Sequence, residues 1–277
     1  MRFVQILRTR YPVEKVRLTG GEPLLRPDIA DIVGGIAQEG VPGVALTTNA
    51  QRLAAAAQDL SRAGLRRVNV SLDSLRPDAF RRLAGGGSLR AALRGIDAAI
   101  ECGLVPVKVN MVVLRGENDG EVADMLRFGL ERGATVRFLE VMPIGPAAAR
   151  FAEWFVPTDE VRARLEREFR LSAVPLGPRG TSEDYSAQDA QGRKGVVGFI
   201  SSCSRPFCGG CRKLRLAADG RLIGCLASGE GPLVGGMLRR NAPEDRRALL
   251  DIVEKTLAAK RPRGEFATPR LMAAVGG

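Results

Sequence analysis

KVRLTGGEP, residues 15–23, is the stretch whose reading decides the fold. A short β-branched and apolar run stops at a Gly-Gly pair followed by proline, which predicts a strand feeding a tight turn. Working outward, the same unit recurs. Residues 27–39 predict a helix, with Asp28 as its cap and Ile29, Ile32, Val33 and Ile36 at helical spacing. GVALTTN (43–49) predicts the next strand and 52–63 the next helix. RRVNVSLDS (66–74) predicts a strand with Val68, Val70 and Leu72 alternating, followed by helices over 77–83 and 88–102. PVKVNMVVL (106–114) is a strand, 119–132 a helix and TVRFLEVMP (135–143) a strand. Upstream, residues 3–10 predict an amphipathic helix closed by Pro12.

Strands alternating with helices predict βα units on a parallel sheet, with crossovers winding it into a barrel or a doubly wound layer. The polar residues decide between the two. The strands run out into TGGEP, TTN, SLDS, LRGEND and EVMP, so polar and glycine-rich chemistry collects at every C-terminal strand end. A barrel turns all those ends to one mouth, whereas an open sheet uses only the ends near a switch point. The expectation is a barrel-like arc over residues 1–150.

Beyond Pro143 the pattern changes, and residues 151–277 read as a second unit. A helix over 157–169 is expected behind Thr158 or Asp159 as cap, and 174–195, rich in Gly, Ser, Asp and Gln, reads as a loop. GVVGFIS (195–201) is a strand, 213–217 and 221–224 a hairpin around Asp219-Gly220, and 243–260 a helix. By composition alone the tail, ending in Gly276-Gly277, reads as disordered.

The second unit holds four of the five cysteines, in CSRPFCGGCRKLRLAADGRLIGC (203–225). Cys208 and Cys211 form a CxxC pair, Cys225 follows after thirteen residues, and Cys203 precedes the pair with C-x4-C spacing. On spacing alone three readings stay open: a four-thiolate zinc site, an iron–sulfur centre, and a disulfide. The remaining cysteine, Cys102, reads as a core thiol.

The chain has 277 residues, a formal net charge of +11 and no histidine. The missing histidine removes Ser-His-Asp and Cys-His nucleophilic schemes, HExxH metal sites and histidine general-base catalysis. The positive balance suits a nucleotide phosphate, or else a solvated basic surface; spread-out charge and few aromatics argue against nucleic acid. No apolar run is long enough to span a membrane, and MRFVQILRTRYP is too broken by charge for a signal peptide. A cytoplasmic location is expected, and it favours metal over disulfide. There is no GxxxxGK[ST] loop and no GxGxxG after a strand, so bound phosphates would lie on arginine and lysine.

VRLTGGEPLLR, ALTTN, VNVSLDS, VKVNMVVLRGEND, RFLEVMPIG, FCGGCRKLRLAADGRLIGCL and the terminal Gly-Gly occur in this order. Together they closely resemble the GTP 3′,8-cyclase family of molybdenum-cofactor biosynthesis, radical S-adenosylmethionine enzymes with an incomplete (βα)6 barrel and a C-terminal cluster domain. The resemblance implies that Cys208, Cys211 and Cys225 hold a [4Fe-4S] cluster, with one iron left for the purine of GTP. It implies GTP contacts at Arg17, Thr47, Lys108, Lys213 and Arg215, and weaker ones at Lys15 and Arg137. The family usually has arginine where Lys213 stands. Gly21, Ser71 and Met142 match S-adenosylmethionine contacts, Glu22 would shape the GGEP turn, and Gly276 and Gly277 would reach the active site. Cys203 would be a neighbour of the cluster. The plainer alternatives are outward strand residues for Lys15 and Arg17, helix caps for Thr47 and Ser71, and core for Met142.

In a complete family member, the resemblance implies, one electron passes from an N-terminal cluster to S-adenosylmethionine. A 5′-deoxyadenosyl radical then takes the 3′-hydrogen of GTP, and the sugar radical closes on C8 of guanine. The family binds that cluster through a CxxxCxxC motif on a first strand, which does not occur in this sequence. The expectation is a chain lacking its first βα unit, so that a second [4Fe-4S] cluster depends on sequence further upstream. The implied partners are GTP, an electron donor, cyclic pyranopterin monophosphate synthase as acceptor of the product, and a second copy of the chain in a homodimer. A non-catalytic GTP- or cluster-binding protein and a zinc-bearing nucleic-acid binder remain as alternatives.

Overall fold

The computed structural model describes residues 1–175, 181–240 and 242–260. Helix α1 (Arg2–Arg8) leads into β1 (Lys15–Leu18), α2 (Ile29–Gln38), β2 (Gly43–Thr48), α3 (Leu53–Arg62) and β3 (Arg67–Ser71). There follow α4 (Pro77–Leu83), α5 (Leu89–Glu101), β4 (Lys108–Val113), α6 (Val122–Arg132) and β5 (Thr135–Glu140). The second half holds α7 (Phe151–Trp154), α8 (Thr158–Leu165), β6 (Arg170–Ala173), β7 (Glu183–Gln188), β8 (Lys194–Ile200), β9 (Arg215–Leu216), β10 (Leu222–Ile223), α9 (Gly235–Arg240) and α10 (Pro243–Ala258).

One sheet of eight strands carries both halves, in the order β1-β2-β3-β4-β5-β8-β7-β6. β1 to β5 and β8 run parallel, while β7 and β6 are added antiparallel. This is the α/β class and the incomplete (βα)-barrel arc that the sequence predicts.

Period two along each strand sorts the residues onto two faces. Val44 and Leu46, Val68 and Val70, Val109, Met111 and Val113, Val136 and Phe138, and Val197 and Phe199 are all buried. They pack beneath Leu53, Leu60, Ile96 and Leu126 of the covering helices in one continuous core. Each such side chain contributes about 1.5–3 kcal/mol of burial. The other face carries Lys15, Arg17, Thr47, Arg67, Asn69, Ser71, Lys108, Asn110 and Arg137. The apolar face is therefore spent on the helices, and the concave face is left polar.

A second, smaller core joins Ile6 of α1 to Leu222, Val234, Leu249 and Val253, with Phe3, Leu7 and Tyr11 against it. Arg2 donates to the carbonyls of Leu238 and Arg239 at 3.0 and 2.8 Å, and Arg10 pairs with Glu254 at 2.8 Å. Helix α1 thus anchors the cysteine-bearing hairpin and α10 to the sheet. The hairpin turns at Gly220, whose φ of +83° is one that glycine adopts without strain.

Two local expectations are corrected and a third is refined. The stretch 174–195 is not a loop throughout: it contains β7, paired residue for residue with β8. Its polar composition hides an alternation in which Tyr185 and Ala187 face the core. Neither Thr158 nor Asp159 caps α8, because Pro157 occupies the cap and Thr158 begins the helix. Asp28 stands at the cap of α2 without a side-chain capping bond and instead forms a two-bond pair with Arg26, at 2.9 and 2.7 Å.

Candidate active site

Buried and half-buried carboxylates tie the C-terminal strand ends together. Glu22 accepts from the Leu24 N–H at 3.0 Å, the Thr48 hydroxyl at 2.7 Å and the Asn49 N–H at 2.7 Å, which joins the turn after β1 to the end of β2. Asp73 accepts the Val112 N–H at 2.8 Å, and burial pushes its carboxyl up to about 6 against that bond. Glu121 accepts from Ser74, Leu75 and Arg76 and holds the loop after β3. Glu140, buried at the end of β5, accepts from the N–H groups of Thr158, Cys203 and Ser204 at 3.1, 2.8 and 2.9 Å.

The parallel register stacks the inward side chains into rows. Arg17 lies beside Ala45 and Arg67. Thr47, Asn69, Lys108 and Thr135 form the next row. Ser71, Asn110, Arg137, Gly198 and Asp184 form the one nearest the mouth. Turned so that its oxygen faces β1, the Asn69 amide accepts both terminal nitrogens of Arg17 at 3.3 Å.

Six of the expected GTP residues enter one electrostatic group. Burial and then Arg137 and Arg215 push the Arg17 guanidinium below its ordinary range. Burial, Arg17, Arg67 and Arg137 lower Lys15. Burial and Arg137 bring Lys108 down to about 8, with Asp184 opposing. Burial lowers Arg137, again against Asp184. Burial, Arg215 and Arg17 bring Lys213 down to about 8, and burial lowers Arg215. Lys15, Arg17 and Lys213 open toward solvent while their neighbours crowd them, as side chains lining a concave surface do. Cations held this close in a partly dry hollow repel one another, and a polyanion relieves that repulsion.

Gly21, Ser71 and Met142 stand at the ends of three different strands, beyond β1, at the close of β3 and beyond β5. A Cβ at Gly21 would meet nothing within 4 Å, so the turn lies open. Gly276 and Gly277 lie outside the described residues. Ser71 is exposed. Sequence reasoning missed Arg67, Asn69 and Asn110, although their alternation with Val68, Val70 and Val109 placed them on the inner face. It also missed Asp184, hidden in the supposed loop.

Cys208, Cys211 and Cys225 are free thiols. Burial acts to raise the Cys211 thiol. The backbone N–H of Lys213 and the Lys260 ammonium, 3.3 Å from the sulfur, nevertheless bring it below the ordinary value. Cys225 also acts on Arg215, so two of the three sulfurs face the cation group. Thiolates among cations fit an anionic iron–sulfur centre. Among the described residues no three Cys, His, Asp or Glu side chains converge on a point that one metal ion could occupy. Cys203 faces elsewhere: its N–H is on Glu140, its thiol donates to the Val141 carbonyl at 3.4 Å, and burial followed by Glu140 pushes it up to about 12.

A hollow of about 460 Å³ lined by Arg8, Tyr11, Glu14 and Pro42 lies at the opposite ends of β1 and β2, away from these residues. No described helix is long and apolar enough to cross a membrane.

A parallel arc with its chemistry at the strand ends carries a cysteine hairpin beside a cation pocket, the layout expected of a radical-SAM protein. Residues 1–129 match the Radical SAM superfamily and residues 134–266 match Molybdenum Cofactor Synthesis C. The chain is 40% identical over 264 residues to the GTP 3′,8-cyclase of Listeria monocytogenes, covering 94% of this chain and 77% of that one. It is 39% identical over 269 residues to that of Moorella thermoacetica and 41% over 273 residues to that of Heliobacterium modesticaldum, in each case covering 96% of this chain and 82% of the relative. The chain belongs to the GTP 3′,8-cyclase family of radical SAM enzymes, whose cofactors are S-adenosylmethionine and a [4Fe-4S] cluster.

Proposed function

We propose that the concave face holds GTP by its triphosphate for conversion to (8S)-3′,8-cyclo-7,8-dihydroguanosine 5′-triphosphate. The observation that carries this reading is the group Lys15, Arg17, Lys108, Arg137, Lys213 and Arg215, drawn from three strands and the hairpin, whose proton affinity is lowered first by burial and, for Lys15, Arg17, Lys108 and Lys213, next by other cations of the group. Only part of such a group is neutralised from within, by Asp184 and the cysteine sulfurs.

The roles divide by position. Arg17, Lys108 and Arg137 receive phosphate oxygens from the sheet side. Lys213 and Arg215 close over the nucleotide from the hairpin, which brings the base toward Cys208, Cys211 and Cys225. Gly21, Ser71 and Met142 at the strand ends take S-adenosylmethionine, and Glu22 fixes the turn that receives it. Bound iron–sulfur centres and S-adenosylmethionine supply the radical chemistry, while the residues named here bind and orient.

The test is GTP binding to Arg215→Ala and Arg62→Ala, followed by titration. Arg62 is an exposed residue on α3 with a side chain 72% accessible. The reading requires Arg215→Ala to weaken binding about tenfold or more while Arg62→Ala stays at the wild-type value, as loss of a charge-assisted contact would give. Equal affinities would sink it.

A further inference from the structure

The row nearest the mouth sets one anion beside its one cation. Asp184 on β7 lies across Gly198 from Arg137, with its carboxylate 3.9 Å from the Arg137 guanidinium. A Cβ at Gly198 would sit 2.3 Å from the Ser182 hydroxyl, 2.6 Å from Asp184 Oδ1 and 3.2 Å from Arg137 Cγ, so only glycine lets the three side chains meet.

A carboxylate serving only as a counter-ion would close on arginine in two short bonds. This pair does not. Asp184 Oδ1, Arg137 Nε, Ser182 Oγ and Asn110 Oδ1 are all buried atoms without a hydrogen-bond partner among the described residues. Ser182 is only 5% exposed. Orphaned buried polar atoms are costly, so four in neighbouring positions point to a group that arrives from outside. The set is mixed: Arg137 Nε donates, Asp184 and Asn110 accept, and the Ser182 hydroxyl does either. Phosphate, an acceptor only, is repelled by Asp184. A hydroxyl both donates and accepts, and in a nucleotide the group next to the phosphates is the sugar.

We propose that Asp184 is a specificity-determining residue of the pocket, whose carboxylate accepts a sugar hydroxyl of the nucleotide while Arg137 and Lys108 hold its phosphates. The assignment rests on the reading of the concave face as the triphosphate site. No proton changes hands; the hydroxyl donates a hydrogen bond and remains protonated.

Two polyanions separate a hydroxyl reader from a local counter-charge. Asp184→Asn keeps the side-chain volume and removes the charge. With the full chain, GTP, 2′-deoxy-GTP, 3′-deoxy-GTP and inorganic tripolyphosphate are titrated against wild type and variant. The expected result is opposite signs. GTP binds the variant about fivefold to tenfold more weakly, because a hydrogen bond to a charged acceptor becomes a neutral one, while tripolyphosphate binds more tightly. Wild type prefers GTP to at least one deoxynucleotide, and the variant loses that preference. Tighter binding of GTP and tripolyphosphate alike would overturn the proposal and leave Asp184 a counter-charge. Tripolyphosphate binding also shows that the variant pocket is folded, and Asp184→Ala, expected to shift in the same directions, guards against a loss peculiar to asparagine. If wild type binds GTP but Arg215→Ala leaves that binding unchanged, the triphosphate reading fails first, independently of Asp184.

Discussion

The carboxylate of Glu140 accepts the backbone N–H of Cys203 at 2.8 Å, which fastens the start of the cysteine stretch to the end of β5. The same carboxylate receives the N–H groups of Ser204 and of Thr158 at the start of α8. One buried side chain thus sets where the chain leaves the barrel and where it enters the cluster unit. Removing it strands several buried donors at once.

Glu140→Ala should therefore destabilise the fold by about 2–4 kcal/mol, as loss of a buried hydrogen-bond hub does. Urea unfolding checks the size. Because the variant unties Cys203, the protein should also retain less iron after reconstitution than wild type. Unchanged stability and unchanged iron would show that the loop is held by something else.

Lys108 gives the pocket a pH dependence of two opposite signs. Burial and Arg137 chiefly, with Lys15 and Arg67 beside them and Asp184 opposing, bring its ammonium from 10.5 to about 8. Between those values the unfolded chain binds more protons than the folded one, so the ligand-free protein gains stability as pH rises. A polyanion needs the ammonium charged, so GTP affinity should fall as pH rises through about 8 and beyond. Thermal melts and titrations at pH 7.5 and 9.5 check both slopes, and Lys108→Met should reduce both without abolishing them, because Lys213, also brought down to about 8, remains. A GTP affinity that rises with pH would rule out Lys108 as a phosphate contact.

The strand and helix succession from Lys15 to Glu140 was legible because one face of each strand is apolar and its end is polar. The cations of the pocket were legible as types, and the register explains why Arg17, Lys108 and Arg137 share a surface. What stayed hidden depends on distant pairing. Strand β7 is read as polar loop until β8 is seen beside it, and Asp184 becomes a pocket residue only through that pairing. Glu140 looks like an ordinary strand end, because its partners Thr158, Cys203 and Ser204 are brought to it only by the fold.

Gly198 offers the last test, since its role depends on the closeness of three side chains rather than on its backbone. A Cβ there would overlap the Ser182 hydroxyl and Asp184 Oδ1, both ends of side chains that can rotate away. Gly198→Ala should accordingly cost only about 1–2 kcal/mol of stability, the low end of overpacking in a core. The larger effect should fall on binding. Rotating Asp184 away removes its hold on the ligand and leaves Arg137 without the Asp184 carboxylate, so GTP affinity should drop several-fold while tripolyphosphate affinity holds or rises. Urea unfolding and paired titrations measure the two effects separately. Wild-type GTP binding in a folded Gly198→Ala protein would mean that the Arg137–Asp184 spacing does not matter to the ligand.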